Sequence, residues 1–267
     1  MWKDKRSVII PFSLVFLFAS TAAADNWFTR IFGAGVKGSG DLVTEERDLD
    51  TFTEIESEGS MDVRVRPGEK QEVLVRFDDN LIDLIKTEVE GSTLYIHSKG
   101  RYRSRHTCRL EITVSALERV TTRGSGDIDV SGFTSDVFDC CTRGSGDISI
   151  RDLTCGELRC DIGGSGDIAL RNFQGELLEC RIDGSGNIDA DGLVNEIEIR
   201  VSGSGDVDAR DLRAKAARVV SRGSGDVRVW AEESLEGSVH GSGDISYYGD
   251  PESVSKDVHG SGSIRRQ

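Results

Sequence analysis

The sequence is poor in several residue types, and each shortage argues against a class of function. Basic residues are the minority, with 33 Lys and Arg against 47 Asp and Glu and a net charge of −14, which disfavours DNA, RNA and anionic lipid as partners. No Cys-x-x-Cys pair is present, so the six cysteines do not suggest a zinc site. After residue 24 no stretch is apolar enough to cross a bilayer, and we expect no membrane span.

The one strongly apolar stretch lies within the first 24 residues, which have the order of a secretory signal peptide. Basic side chains lie within residues 3–6, the apolar stretch covers residues 8–18, and three alanines end at Ala24. We therefore expect cleavage after Ala24 and an exported protein, located in the periplasm, secreted or at the cell surface.

Glycine is abundant, with 31 residues, and more than half of these stand in one repeated motif. Gly-Ser-Gly-Asp starts at Gly38, Gly124, Gly144, Gly164, Gly203, Gly223 and Gly241, with Gly-Ser-Gly-Asn at Gly184 and Gly-Ser-Gly-Ser at Gly260. From Gly124 onward the motifs are 18 to 20 residues apart. A fixed period of this length is typical of a solenoid, in which one structural unit stacks on copies of itself.

Each repeat carries the pattern of short β-strands. Apolar and polar residues alternate after the motif, as in Ile128-Asp129-Val130, and a second alternating run leads to the next motif. Such runs bounded by glycine indicate strands, and helical spacing is absent. If each strand pairs with its copy one turn later, at roughly 4.8 Å, the chain forms an all-β parallel solenoid. Glycine suits its corners through positive φ or through close approach of neighbouring coils.

The repeat divides the chain into four segments. Residues 1–24 are the signal peptide, and residues 25–42 form a lead segment with the first repeat. Residues 43–117 contain strand-like runs with one degenerate motif at Gly59, and we interpret them as an irregular N-terminal β cap of enlarged or hairpin-bearing coils. Residues 118–267 form the regular coils and a C-terminal tail. A cap is expected because an open coil end exposes unpaired strand edges.

The cap and the coils together resemble a known bacterial family. Phe52-Thr53-Glu54-Ile55, Asp62-Val63-Arg64-Val65 and Leu94-Tyr95-Ile96, followed by the Gly-Ser-Gly-Asp coils, are similar to the domain called "putative autotransporter adhesin, head GIN domain". The resemblance covers about residues 43–264. It implies a right-handed parallel β-helix in an exported, adhesin-like protein.

The aspartates of the motif are the first candidates for chemistry. A short Asp in a corner can accept nearby backbone N–H groups, which is the interpretation we favour. A row of carboxylates could also hold Ca²⁺, since hard cations prefer clustered oxygen ligands, and Ca²⁺ is the one cofactor the sequence suggests. The residues of this column are Asp127, Asp147, Asp167, Asp206, Asp226 and Asp244, interrupted by Asn187.

The cysteines form a second set of candidates. Cys140, Cys160 and Cys180 each stand four residues before a motif, so we expect them to point inward in successive coils. There they can act as small apolar core residues, or pair as Cys140–Cys160 or Cys160–Cys180 disulfides in an exported protein. Cys155 is expected in a turn.

A basic run stands out in the acidic chain. Arg101, Arg103 and Arg105 lie inside the expected cap, in a stretch of eight residues that begins at Lys99 and ends at His106. A solvated hairpin tip is the default interpretation of this run, and a loop that faces a partner or a glycan is the alternative.

These features favour a binding or scaffold role over catalysis. A rigid repeat rod presents extended surfaces to glycans or proteins of the cell envelope. Activated serine nucleophiles need an adjacent base, which most of the repeated serines lack, and no long loop interrupts residues 124–260 to build a cleft. We therefore assign no catalytic residue. The alternatives are a polysaccharide-active β-helix enzyme and a Ca²⁺-binding repeat protein.

Overall fold

The computed structural model describes residues 35–267, which consist of β-strands, connecting turns and one 3₁₀ turn at Ile82–Leu84. The predicted signal peptide and most of the lead segment lie outside the described residues. No helix in the part of the chain that the structure describes is long and apolar enough to span a membrane.

The strands fall into an irregular N-terminal set and a regular set. The first set is β1 (Val36–Lys37), β2 (Leu42–Glu46), β3 (Glu54–Ser57), β4 (Asp62–Pro67), β5 (Glu72–Asp78), β6 (Ile85–Glu90), β7 (Thr93–Ser98), β8 (Tyr102–Arg103) and β9 (Arg109–Val114). The second set is β10 (Arg119–Thr122), β11 (Ile128–Ser131), β12 (Thr134–Thr142), β13 (Ile148–Arg151), β14 (Thr154–Ile162), β15 (Ile168–Ile182), β16 (Ile188–Val201), β17 (Val207–Ser221), β18 (Val227–Trp230), β19 (Ser234–Val239), β20 (Ile245–Tyr248), β21 (Ser253–Val258) and β22 (Ile264–Arg266).

The regular strands stack in two parallel columns, one on each side of the Gly-Ser-Gly corner. Before the corner, β10, β12 and β14 pair in register, so that Cys140 lies beside Cys160 one coil later. After the corner, β11, β13 and the first half of β15 pair in the same way, with Ile148 beside Ile168. These pairings confirm the predicted all-β solenoid with coils of about 20 residues.

Alternate residues of every coil point into one continuous core. Ile148, Leu158 and Ile168 are fully buried, and the large side chains of Phe138 and Phe173 fill the space between the strand columns. Burying a side chain of this size contributes about 1.5–3 kcal/mol. The period-two pattern of the sequence is therefore the pattern of the core.

Glycine is required at the corners because successive coils approach each other closely there. A Cβ atom on Gly144 would overlap the carbonyl oxygen of Gly124, and one on Gly146 would overlap that of Gly126. None of these glycines has a positive φ, so close approach is the reason for glycine in the regular motif. The N–H of Ser145 donates to the Gly124 carbonyl at 2.8 Å and ties the two corners together.

The N-terminal strands do not stack in chain order. β3 and β4 pair in parallel with β10 and β11 on one side and with β7 and β9 on the other. Gly59 thereby lies directly next to Gly124, although 65 residues separate them in sequence. β5 pairs antiparallel with β2 and β9, and β6 pairs antiparallel with β7. The coil of residues 54–67 is therefore internal to the solenoid.

The first Gly-Ser-Gly-Asp motif, which we expected to be a repeat, lies apart from the corner column. The N–H of Gly40 donates to Oδ1 of Asp78 at 2.9 Å, and the N–H of Ser39 donates to Oδ1 of Asn80 at 2.9 Å. Of the two strands beside the motif, β1 pairs in parallel with β8, and β2 pairs antiparallel with β5. Because no column strand flanks it, the same tetrapeptide has a different role here.

Candidate functional site

The aspartates of the motif stack in one column, and each carboxylate has a backbone partner in the next coil. Oδ1 of Asp127 accepts the N–H of Asp147 at 2.9 Å, and Oδ1 of Asp147 accepts the N–H of Asp167 at 2.8 Å. The same bond recurs in every later coil up to Ser263, at 2.7–2.9 Å. These N–H groups would otherwise lack a protein acceptor at the corner, so the column satisfies the backbone.

Asn187 shows what the column requires. Its Oδ1 accepts the N–H of Asp206 at 2.9 Å, as a carboxylate oxygen does in the other coils. The ladder therefore needs an acceptor oxygen and no negative charge. Within residues 35–267, no group of three or more His, Cys, Asp or Glu side chains could hold a metal ion. Ca²⁺ binding by this column stays a prediction.

Three cysteines form a second column, inside the solenoid. Cys140, Cys160 and Cys180 are buried in register in consecutive coils, where they pack as small apolar residues. The Sγ atoms of Cys140 and Cys160 lie 3.1 Å apart, in contact but not bonded to each other. Burial raises the pKa of Cys160 and Cys180, which keeps both thiols protonated. A disulfide within this column stays a prediction.

Cys155 lies in a different place from the one we expected. It is buried within β14, in register with Ser135 and Gly175, because this strand runs on through the position where we expected a turn. Burial raises the pKa of Cys155 to about 12, so its thiol is not a nucleophile near neutral pH. Its side chain forms part of the floor of a groove.

The groove is an open concave feature with a volume of about 620 Å³. It crosses the beginnings of β12 and β14 and the neighbouring segments of β15, β16 and β17. From Thr134 to Glu232 it spans five coil steps, about 24 Å along the solenoid. Gly156 and Gly175, which carry no side chain, are among its lining residues.

The chemical character of the groove changes along its length. Thr134, Thr154 and Gln174 lie in register and present hydroxyl and amide groups. The next residue in this row is Leu193, whose side chain is 58% exposed. Neutral polar groups therefore give way to an apolar surface near the middle of the groove.

The far end of the groove is charged. Arg213 follows Leu193 in register, and its guanidinium carbon lies 3.5 Å from the centre of the Trp230 ring. This cation–π contact fixes the direction of the arginine. Lys215 and Glu232 complete the end. No sequence motif marks these positions, but an alignment of the coils on their glycines would have placed them in one row.

The basic run, the candidate partner loop, lies outside the regular coils. Arg103 belongs to β8, which pairs with β1, and Arg101 and Arg105 lie on either side of this short strand. All three side chains are exposed, and none forms an ion pair with another residue in the described range. The structure brings them near Lys37 and Arg109, which the sequence did not associate with them.

The fold and these sites define the class of protein: a β-solenoid whose repeated corners serve the backbone and whose groove lies away from the motif. The sequence matches the family described as "Putative auto-transporter adhesin, head GIN domain" over residues 51–251, and the chain belongs to this family. The resemblance seen in the sequence is thereby confirmed. Among curated proteins no sequence match is found.

Several solved structures share this architecture. A protein of Parabacteroides distasonis described as a "putative lipid binding protein" is 32% identical, with 87% of this chain and 99% of that one covered and a TM-score of 0.79. A "putative adhesin" of Parabacteroides merdae is 20% identical, with 88% and 99% covered and a TM-score of 0.81. Another from Bacteroides fragilis is 23% identical, with 87% and 100% covered and a TM-score of 0.68.

Proposed function

We propose that this protein is an exported, non-catalytic binding module that holds a neutral polysaccharide of the cell envelope along its groove. The observation that carries this proposal is the row of Thr134, Thr154 and Gln174, repeated at the coil spacing on the wall of a groove about 24 Å long. Membership of a family described as adhesins supports a binding role.

The shape and chemistry of the groove suit a linear glycan. Hydroxyl and amide groups can both donate and accept hydrogen bonds, which matches the hydroxyl groups of a sugar chain. The exposed Leu193 offers an apolar surface against which a sugar ring can pack. The groove is carried on paired strands of a rigid solenoid, so little ordering of the protein is needed on binding.

Lipid is the weaker alternative. A relative with 32% identity is described as lipid binding, but Leu193 is the one large exposed apolar side chain that lines this groove within the described residues. A lipid chain would leave the neighbouring threonine and glutamine groups without hydrogen-bond partners, at a cost of about 1–3 kcal/mol for each buried group.

The groove is poorly arranged for catalysis. Its two lining carboxylates, Glu176 and Glu232, belong to coils three steps apart, about 14 Å along the solenoid, whereas the carboxylates of glycosidases lie roughly 5–10 Å apart. Asn195 donates a hydrogen bond to Glu176 and occupies one of its oxygen atoms. The third reactive group, Cys155, is held as a thiol by its burial.

Groove-filling variants test this proposal. Thr154→Trp and Gln174→Trp place a large ring in the groove at exposed strand positions, and Asp161→Trp, at an exposed position of β14 outside the groove, is the matched control. With soluble neutral glucans and mannans as probes in titration calorimetry, we expect the two groove variants to weaken binding at least tenfold and the control to leave it unchanged.

Three results would overturn the proposal. The first is binding that survives both groove substitutions, and the second is no binding of any neutral polysaccharide by the wild-type protein. The third is the appearance of new reducing ends when the polysaccharide is incubated with the protein, since that would show catalysis. Selective binding of phospholipid vesicles, lost in the same variants, would assign the groove to lipid instead.

A further inference from the structure

We propose a second binding site, for a phosphate or sulfate monoester, around Arg105, beside the paired strands β1 and β8. It does not depend on the groove: β4, β11 and β13 lie between β9, which carries Arg109 of this site, and β15, which carries Gln174 of the groove. The site uses the basic run that the sequence singled out, together with cationic residues from distant segments.

Two cavities meet at Arg105. One, of about 450 Å³, is lined by Lys37, Arg103 and the first Gly-Ser-Gly segment, residues 38–40. The other, of about 330 Å³, is lined by Arg76, His106 and Arg109. Volumes of this order are typical of pockets for small molecules and differ from the flat surfaces that bind proteins. Arg105 can therefore bind an anionic group in either pocket.

The lysine and the arginines that line these pockets form no ion pair within residues 35–267. Arg76 and Arg109 lie directly opposite each other in the antiparallel β5–β9 pair, where like charges destabilise a sheet. Neither forms an ion pair with any described residue, although acidic residues outnumber basic ones in the chain. An anion between them would remove the repulsion.

Three acidic groups close to the pockets are engaged within the protein, whereas Asp41, which follows residues 38–40, is exposed. Asp78 is fully buried and accepts hydrogen bonds from the Ser104 hydroxyl and from the N–H of Gly40. Asp79 accepts a hydrogen bond from the Ser39 hydroxyl at 2.5 Å. Asp62, the register neighbour of Arg109, accepts the N–H of Asp127 at 3.4 Å. The five cationic side chains that line the two pockets outnumber these four carboxylates, so the local net charge is positive.

Asp78 also holds the segment that carries these arginines in place. The Ser104 hydroxyl is bonded to this buried carboxylate, and His106 Nδ1 lies 3.4 Å from it, so the segment carrying Arg103 and Arg105 is anchored at two points. A Cβ atom on Gly38 would overlap the Asp78 carboxylate, so glycine is needed there too. The Gly-Ser-Gly segment at residues 38–40 thus packs against Asp78, the carboxylate that holds the cationic segment in place.

The ligand class follows from the guanidinium groups. Arginine forms paired, charge-assisted hydrogen bonds with phosphate and sulfate oxygens, and several converging arginines favour a group with three acceptor oxygens. The net negative charge of the chain does not cancel this attraction. At physiological ionic strength charges beyond about 8 Å are largely screened, so the nearby arginines decide which group binds.

Small anions test the site on the full-length protein. Glucose 6-phosphate, glucose 6-sulfate, inorganic phosphate, glucose and vesicles of anionic phospholipid are compared by titration calorimetry or by vesicle sedimentation. We expect the esters to bind and glucose to show no binding. Arg105→Ala should weaken binding at least tenfold, and Arg105→Lys, which keeps the charge but loses the planar fork, should weaken it less. Arg222→Ala removes an exposed arginine elsewhere and should leave binding unchanged.

The pattern of ligands identifies the source of the anionic group. Tighter binding of the sugar esters than of inorganic phosphate indicates a glycan, and tighter binding of vesicles indicates a lipid headgroup. The proposal is overturned if no phosphate or sulfate compound binds at millimolar concentration. It is also overturned if Arg105→Ala, with an unchanged melting temperature, binds as the wild-type protein does.

Discussion

At the scale of single residues, each aspartate of the motif acts through one oxygen atom that accepts an N–H from the next coil. Asp147 accepts the N–H of Asp167 at 2.8 Å, and Asn187 performs the same task without a charge. The identity of the residue is thus set by its acceptor and its short side chain. This account predicts that charge at the corner can be removed at little cost, while the acceptor cannot.

Substitutions at Asp147 test the acceptor. Asp147→Ala should lower the free energy of unfolding by about 1 kcal/mol, since it leaves the N–H of Asp167 without its partner. Asp147→Asn keeps the oxygen and should have the stability of the wild-type protein. Urea unfolding of both variants measures the difference. Equal stability of the two variants, or a large loss in Asp147→Asn, would contradict this role.

Asp78 gives a prediction about pH. The hydrogen bond from the Ser104 hydroxyl, together with those from His106 and Gly40, lowers the pKa of the Asp78 carboxyl below its ordinary value. A lowered pKa means that the folded state favours the charged form. The resulting stabilisation is complete above about pH 4, the ordinary pKa of aspartate, and is lost as the pH falls through the folded-state pKa.

The measurement compares Asp78→Asn with the wild-type protein from pH 7 to pH 2. We expect the variant to be about 2 kcal/mol less stable at pH 7, with the difference shrinking below pH 4. Asp83→Asn, at an exposed position of the 3₁₀ turn, is the control and should follow the wild-type curve. A difference that stays constant down to pH 2 would show that the charge of Asp78 is not what stabilises the fold.

At the scale of elements, the corner glycines set the distance between coils. Both glycines of a regular motif lie against the carbonyl oxygens of the corner beneath them. The serine between them is exposed, and in the described structure its backbone N–H makes the contact with the next corner. The three positions of the motif therefore differ in how well they tolerate substitution.

Gly144→Ala and Ser145→Ala test this difference within one corner. A methyl group at residue 144 would overlap the Gly124 carbonyl, and we expect a loss of about 2 kcal/mol or more in the free energy of unfolding, as for other overpacked sites. Ser145→Ala removes an exposed hydroxyl and should change stability by less than about 0.5 kcal/mol. Thermal or urea unfolding separates the two outcomes, and similar losses in both variants would be inconsistent with close packing at the glycines.

At the scale of the whole molecule, the sequence periodicity predicted the coils because one motif repeats the same strand–corner–strand unit. The order of the first coils was not predictable in this way. Residues 54–67 stack beside a corner 65 residues later, since the insertion between Pro67 and Arg119 folds back to the other side of this coil. Periodicity reports the spacing of adjacent coils and carries no information about such an insertion.

The candidate sites were less predictable than the coils. The basic run from Arg101 to Arg105 was visible, but Lys37 and Arg76 join it through β1 and β5, which no local pattern connects to it. The groove was missed because its residues vary from coil to coil, as Thr154 and Leu193 show. Variation along a row of a repeat protein is what a binding surface requires, whereas the repeated motif serves the backbone.

The proposed function requires that the ligand binds in the groove, away from the repeated motif. Hydroxyl-radical footprinting with a bound neutral polysaccharide is the sharpest test, because the molecule contains its own controls. Leu193 is 58% exposed in the groove, while Val254 and Val258, at 40% and 43%, lie on β21. We predict that oxidation of Leu193 falls severalfold on binding and that the two valines are unaffected. Unchanged oxidation of Leu193 at saturating polysaccharide would contradict the account.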